Sequence, residues 1–462
     1  MMNANFALAE NVVRIRYEDL PVEAREMAKR CILDTIGVML AGSGAEPACN
    51  GIVDMVKEMG GREESTIIGY GGKVPALMAA FANGSMSHAV DYDDVHDSAN
   101  CHPSGSTIPA ALAMAERVGG VAGKDFIVAV ALGIDVVCRL GAALPKSQGD
   151  YDFFLPPILG TFSSTAAAGK LLGLNKEQMV SAFGIAIHQA AGSKEMAADI
   201  DSVVRAIRDG FPGRNGVLSA LMAARGITGV TNSLEGKMGL YALYFNNEYN
   251  PEALTSDLGI KFLGTTVSFK PWPSCRVTHA YIGATLDLVR ENDLKPDEIE
   301  EITAVVDNNS INLCEPLEEK RNPKLSINAK LSIPYTVALA ATRGKVLLGD
   351  FLTENLHDPA IHKMADKVNY QLNSSISAGD PMPYHAIVKI KTRDSGLYAK
   401  EVKFPHGNPK NPLSMEDLIN KFRDCASYSV RPLSESGVDI LIDLLKGLEE
   451  VEDISQVTRL LC

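Results

Sequence analysis

EIEEITAVVD, Glu298 to Asp307, is where a helical pattern that has held for most of the chain gives way. Its β-branched residues, Ile299, Ile302, Thr303, Val305 and Val306, and its partial alternation with acidic residues predict a strand with one buried face. AIVKIKT, Ala386 to Thr392, reads the same way, and the turn Asp394-Ser395-Gly396 predicts a hairpin continuing through Tyr398 to Val402. Upstream of about Thr266 the reading is helical. PVEAREMAKRCILDTIGVMLA, Pro21 to Ala41, has proline at its start, Glu23 in its first turn, and Gly42 and Gly44 where a stop is expected. Similar small-residue-rich stretches recur at Pro109 to Val118, Asp125 to Ala143, Gly160 to Leu172, Lys176 to Ala191 and Gly216 to Ala224, a composition that lets helices approach closely. Beyond the loop Pro405-His406-Gly407-Asn408-Pro409, Met415 to Tyr428 and Ser434 to Val451 return to amphipathic helix. The prediction is a mainly α protein. A helical domain is built from residues 1–268 and 405–462, and an α/β domain of residues 269–404 is inserted into it.

The 462 residues are 46% hydrophobic and 22% charged, enough for a core of ordinary size without metal or disulfide staples. A formal net charge of -13 argues against a nucleic-acid partner, which requires a basic face. It permits an anionic metabolite, because a few arginines in one cleft can reverse the local potential. The opening MMNANFALAE lacks the basic-then-apolar pattern of a secretory signal, and no uncharged apolar run reaches membrane-spanning length. The eight cysteines form no CxxC pair. Reduced thiols and a cytoplasmic location without a membrane partner are therefore expected. No GxGxxG follows a strand and no GxxxxGK[ST] phosphate loop is present, so no cofactor is expected.

The densest chemistry lies in SHAVDYDDVHDSANCHPS, Ser87 to Ser104, which carries His88, Asp91, Asp93, Asp94, His96, Asp97 and His102. Histidine and aspartate are the usual carriers of protons to and from carbon, provided the site pushes their pKa values apart. His102 is predicted just ahead of a helix N-terminus, where the helix dipole disfavours imidazolium and favours an anionic substrate. A metal bound by His88, Asp91 and His96 is the competing reading, but the spacing matches no zinc motif. A solvated acidic loop with capping aspartates is the bland one.

HAVDYDDVHDSANCHPSG resembles the signature of the MmgE/PrpD family. The resemblance runs through ILDTIG (Ile32 to Gly37), RAIRDGFPGRNGV, LEGKMGLY, SFKPWPSCRVTH (Ser268 to His279) and LSIPYTVALA (Leu331 to Ala340), in family order. It implies a large helical domain with an α/β lid, a homodimer, and an active site in the cleft between the domains. The activities it implies are 2-methylcitrate dehydration, cis-aconitate decarboxylation or iminodisuccinate epimerisation. Carried over residue by residue, it points to Asp91, His102, Lys270 and Tyr335. Three positions depart from the decarboxylase pattern: Val95 stands for a threonine, Leu155 for a histidine and Arg205 for a lysine.

The catalytic residues expected are thus His102 as acid or base, Tyr335 opposite it, Asp91 orienting His102 or binding a hydroxyl, and Lys270. Arg205, Arg208, Arg276, His279 and Asp94 are expected to bind substrate, the arginines because a guanidinium grips a carboxylate in two places. Arg205 and Arg208 are expected to share a helix face, as are Arg276 and His279. Asp93 and Asp94 have a bland alternative as caps and supporting acceptors, and Cys275 as a small buried residue. The function expected is a cofactor-free, metal-free lyase of a small di- or tricarboxylate, like 2-methylcitrate dehydratase. The alternatives are a dicarboxylate epimerase and a non-catalytic carboxylate binder.

Overall fold

The computed structural model describes residues 3–145, 153–199, 201–308, 310–374 and 384–462. Two hydrophobic cores organise it. The larger runs from Ala4 to Phe269 and is joined by Leu413, Leu418, Phe422, Leu441, Leu445 and Leu461, so the C-terminal helices pack on the N-terminal part. The second is built from Ala280 to Ile390. The protein is mainly helical, as the sequence predicts, with its larger sheet confined to the second core.

Helix Val22–Ala45 is buried along most of its length and does not stop at its glycines. A Cβ on Gly42 would lie 2.2 Å from the Met86 carbonyl oxygen, and one on Gly44 2.2 Å from that of Tyr428. These glycines, expected as a helix stop, instead let two other backbones come against the helix. Helix Met415–Ser427 crosses the same helix with Phe422 against Gly37 and with Lys421 Nζ 2.6 Å from Asp34 Oδ1. Helices Ala76–His88, Pro103–Val118, Gly123–Ala142, Leu155–Leu171 and Gly210–Ala224 fill the rest of the large core. The second of these, Pro103–Val118, opens earlier than its apolar pattern predicts. The Asp94 carboxylate accepts from Ser104 N at 3.2 Å and from Ser104 Oγ at 2.5 Å, satisfying a first-turn donor from outside the helix.

The sheet of the second core has four strands in the order Val368–Leu372, Ile299–Val306, Ala386–Thr392, Leu397–Val402. The first pair is parallel, with Ile302 opposite Val368, and the other two pairs are antiparallel. The predicted hairpin is present, with Ser395 at φ 72°. Val368–Leu372 was not predicted, because VNYQL carries too few β-branched residues to announce a strand.

Both connections between the cores are tied at one carboxylate. Asp97 accepts from Ser268 Oγ at 2.7 Å, from Asn408 Nδ2 at 2.8 Å, and from Arg276 Nε and Nη2 at 3.2 Å each. A small apolar cluster of Val38, Ala41, Val90, Tyr92, Leu348 and Cys425 packs the seam beside it.

Candidate active site

The loop after helix Ala76–His88 turns sharply because Asp91 adopts φ 52°, a left-handed conformation that aspartate tolerates better than most residues. That turn aims both acceptors of Asp91 at one ammonium. Lys270 Nζ lies 2.9 Å from the Asp91 carbonyl oxygen and 2.5 Å from Oδ1. Two residues on, Asp93 receives two imidazoles. His88 Nδ1 stands 2.8 Å from Oδ1 and His102 Nδ1 2.8 Å from Oδ2, while Lys270 Nζ is 3.8 Å from Oδ1. The two rings meet edge to face, 5.0 Å apart. An ionised Asp93 can only accept, so both histidines carry their proton on Nδ1 and present Nε2 as the basic nitrogen.

The charges sort accordingly. Burial would raise the Asp91 pKa, but Lys270, His88 and Arg205 hold it below the usual carboxylate range. Burial likewise opposes ionisation of Asp93, and the two imidazoles and Lys270 overcome it. Burial pushes His102 down to about 4, with Arg208 adding to the effect and Asp93 opposing it. His88 is also lowered to about 4, by burial and then Arg208. His102 is therefore neutral near pH 7, with a free lone pair on Nε2 and a side chain 15% exposed, whereas His88 is fully buried.

Arg205 and Arg208 lie in a run of turns before helix Gly210–Ala224, not on the helix face expected of them. They still converge: their guanidinium carbons lie 5.6 and 4.7 Å from the Phe154 ring centroid. Arg208 donates to Asp209 at 3.3 Å, and its two terminal nitrogens are buried without a hydrogen-bond partner among the described residues. Gly105 makes room for this group, since a Cβ there would lie 2.2 Å from Asp209 Oδ2. Arg205 opens onto a cavity of about 750 Å³ whose wall also includes Phe154, Cys275, Val277, Asn328 and Leu331. The cavity therefore lies between the helical part and the α/β part, with Asp91 near enough to influence both Arg205 and Cys275. Burial raises the Cys275 pKa and keeps its thiol protonated, a poor nucleophile.

Four expected site residues are placed elsewhere. Arg276 spends its guanidinium on Asp97 and on the His406 carbonyl, so it is a structural ion pair. His279 is fully buried, with Nε2 bonded to the Ser274 carbonyl at 3.2 Å and its ring 5.4 Å from Trp272. Asp94 is the helix cap described above, and burial raises its pKa to about 7. Tyr335 lies in the second core, its ring 6.3 Å from that of Phe351 and its hydroxyl buried without a partner among the described residues. The charges acting on it are Asp350, Arg343 and Asp358, and among the described residues no hydrogen bond, ring contact or ion pair joins it to His102. Asp91, expected to orient His102, holds Lys270 instead, and Asp93 orients the imidazole.

The metal set considered from sequence is not assembled. His96 Nε2 bonds Thr266 Oγ1 and the Leu263 carbonyl, and its Nδ1 accepts from Ala99 N. His88, Asp93 and His102 do bring ligand atoms within 4.8 Å of one another. However, each Nδ1 already engages its own Asp93 oxygen, and the Lys270 ammonium occupies the position of local positive charge. The donor set fits hydrogen-bonded histidines better than a cation. Sequence reading missed His88 and the bridging role of Asp93. The His88-to-Asp93 spacing was visible, but nothing in it says which of three aspartates two histidines will share.

Residues 7–252 match the family model described as MmgE/PrpD N-terminal domain, and residues 272–446 match the one described as MmgE/PrpD C-terminal domain. Cis-aconitate decarboxylase of Homo sapiens is 30% identical over 454 residues, covering 94% of this chain and 90% of the relative. The Mus musculus enzyme of the same name is 29% identical, covering 94% and 88%. That of Aspergillus terreus is 28% identical, covering 96% and 93%.

Proposed function

The chain belongs to the MmgE/PrpD family, and from that premise we propose that it is a lyase of a small di- or tricarboxylate, working by acid–base chemistry. The observation that carries this reading is His102: a neutral imidazole, locked by Asp93 with its basic Nε2 outward, among Lys270, Arg205 and Arg208. The arginines bind the carboxylates. As a carbon beside one of them gains negative charge, the cations stabilise it, and His102 moves the proton. In a dehydration, His102 takes a proton from carbon, the carbon–oxygen bond breaks, and hydroxide leaves as water with a proton from the site. In a decarboxylation, the carbon–carbon bond breaks, carbon dioxide leaves, and protonated His102 returns a proton to the carbanion.

The neutral state of His102 favours proton removal, whereas the names of the relatives point to cis-aconitate decarboxylation. A bound polyanion would raise the His102 pKa and make the second role available. Val95 is held by backbone bonds to Ser268 at 2.9 and 2.7 Å, and Leu155 opens helix Leu155–Leu171 in a buried position, so neither replaces the polar group that decarboxylases carry there. Residues 269–404 serve as the lid in this reading, the cavity being closed by their approach, and the working form is a homodimer in the cytoplasm.

The deciding experiment is incubation with cis-aconitate, citrate and 2-methylcitrate in deuterated water, followed by mass spectrometry. Release of carbon dioxide with one deuterium in the product assigns a decarboxylase. Loss of water to a new double bond assigns a dehydratase. Deuterium exchange without net conversion would mean an isomerase and would defeat the lyase reading.

A further inference from the structure

Four lysines are buried in the described structure: Lys29, Lys270, Lys330 and Lys421. Three have a carboxylate partner. Lys29 is 2.9 Å from Glu449, Lys270 is 2.5 Å from Asp91 and Lys421 is 2.6 Å from Asp34. The fourth, Lys330, is 2% exposed, and its ammonium has no hydrogen bond or ion pair among the described residues. A buried charge without a partner is destabilising unless it is neutralised or later paired.

The location of Lys330 supplies a reason. It ends helix Ser326–Lys330 on the α/β side of the cleft, and its carbonyl accepts from Cys275 N at 3.0 Å. Cys275, Asn328 and Leu331 are all on the cavity wall. Lys320, also on that wall, fixes the next residue by donating to the Leu331 carbonyl at 3.1 Å. The charged groups that act on the Lys330 amine are Glu46 from the helical part and the Asp91–Lys270 pair of the site. It is thus an unpaired amine carried by the α/β part on a segment whose neighbours Asn328 and Leu331 line the cavity, within the field of Asp91 and Lys270.

We propose that Lys330 is a substrate-binding residue whose ammonium pairs with a carboxylate of the anionic substrate when the cleft is filled. This rests on the polycarboxylate reading above and adds to it a cation from the second domain. Burial holds the amine down to about 8, with Lys270 contributing and Glu46 and Asp91 opposing. An incoming carboxylate raises that value, so binding near pH 8 takes up a proton. His102, already neutral far below that pH, contributes little to such uptake.

The test is calorimetric titration of the intact protein with tricarballylate, an unreactive tricarboxylate, near pH 8 in two buffers of different ionisation heat. The wild type should bind with proton uptake. Lys330→Met should bind at least about ten-fold more weakly and without uptake, and Lys330→Arg should recover part of the affinity but not the uptake. Because the amine is unpaired, Lys330→Met should melt no lower than the wild type. Affinity within about two-fold of wild type in Lys330→Met, or a variant that melts lower or does not fold, overturns the proposal, since the lysine is then outside the site or part of the scaffold. A wild type that does not bind tricarballylate overturns the polycarboxylate reading beneath it.

Discussion

Asp93 divides its two carboxylate oxygens between two histidines, His88 on Oδ1 and His102 on Oδ2, each at 2.8 Å. His102 is thereby fixed in one tautomer and one orientation, with no water needed behind it. His88 keeps the carboxylate from rotating away, and Lys270 balances its charge from 3.8 Å. His102, the proposed proton carrier, is therefore one of three side chains that hold each other in place.

The first consequence concerns Asp93→Asn. An amide offers one acceptor and one donor, so only one of the two imidazoles keeps its bond. Turnover should fall about 10²- to 10⁴-fold with a much smaller change in KM, because orientation of the proton-transfer group is lost while the carboxylate-binding cations remain. Steady-state kinetics on whichever acid is turned over checks this, and a variant with near-wild-type kcat would leave His102 without its proposed anchor.

The acid limb of the rate profile follows from the environment of His102. Its pKa is lowered to about 4 by burial, with Arg208 adding to the shift, so the basic form persists down to that pH and is lost below it. Arg208→Gln removes one of the three downward influences, burial and Lys270 being the others. The acid limb of kcat/KM should then move upward, by roughly one unit, toward the ordinary histidine value. The measurement is kcat/KM against pH for both proteins. A limb that stays in place would remove Arg208 from the group that tunes the base.

Tyr335 carries a buried hydroxyl with no partner among the described residues, a cost of about 1–3 kcal/mol by the usual penalty for such a group. Tyr335→Phe should therefore raise the melting temperature. Turnover should stay within about two-fold of wild type, because the ring sits in the second core beside Phe351 and no described contact joins it to His102. A loss of turnover of about ten-fold or more would instead put the phenol among the reacting groups.

Asp94 makes a stability prediction with a definite sign. Its carboxyl is raised to about 7 by burial and by Asp34 and Asp93, against an ordinary value of 3.8. Between these values the folded protein binds more protons than the unfolded chain, so this group lowers stability as pH rises through the interval. Asp94→Asn should be more stable than wild type at pH 8, by on the order of 2 kcal/mol, and the difference should shrink toward pH 4. Denaturant unfolding at the two pH values measures it, and an unchanged difference would mean that Asp94 does not titrate in that range.

Much of the architecture was legible from period and composition. Helices with small-residue faces, the shift to strands at Ile299–Val306, and the return to helix near Met415 all follow from local preferences that act over a few residues. The helix end expected at Gly42 did not, because a glycine that stops a helix and one that admits a neighbouring backbone look alike until the neighbour is known. The site divides along the same line. The Ser87–Ser104 stretch, Lys270 and Arg205 were readable as site candidates from residue types and from the family pattern.

Which partners those residues choose was not. By itself the chain determined a mainly helical fold with an inserted sheet and a short stretch dense in histidine and aspartate, because propensity and polarity are written locally. Only the tertiary structure decided that Asp93 rather than Asp91 holds His102, that Arg276 belongs to Asp97, and that Lys330 is left unpaired. Those choices are made between groups as many as 179 positions apart, by burial that strips away water and leaves each charge to whichever neighbour the packing supplies.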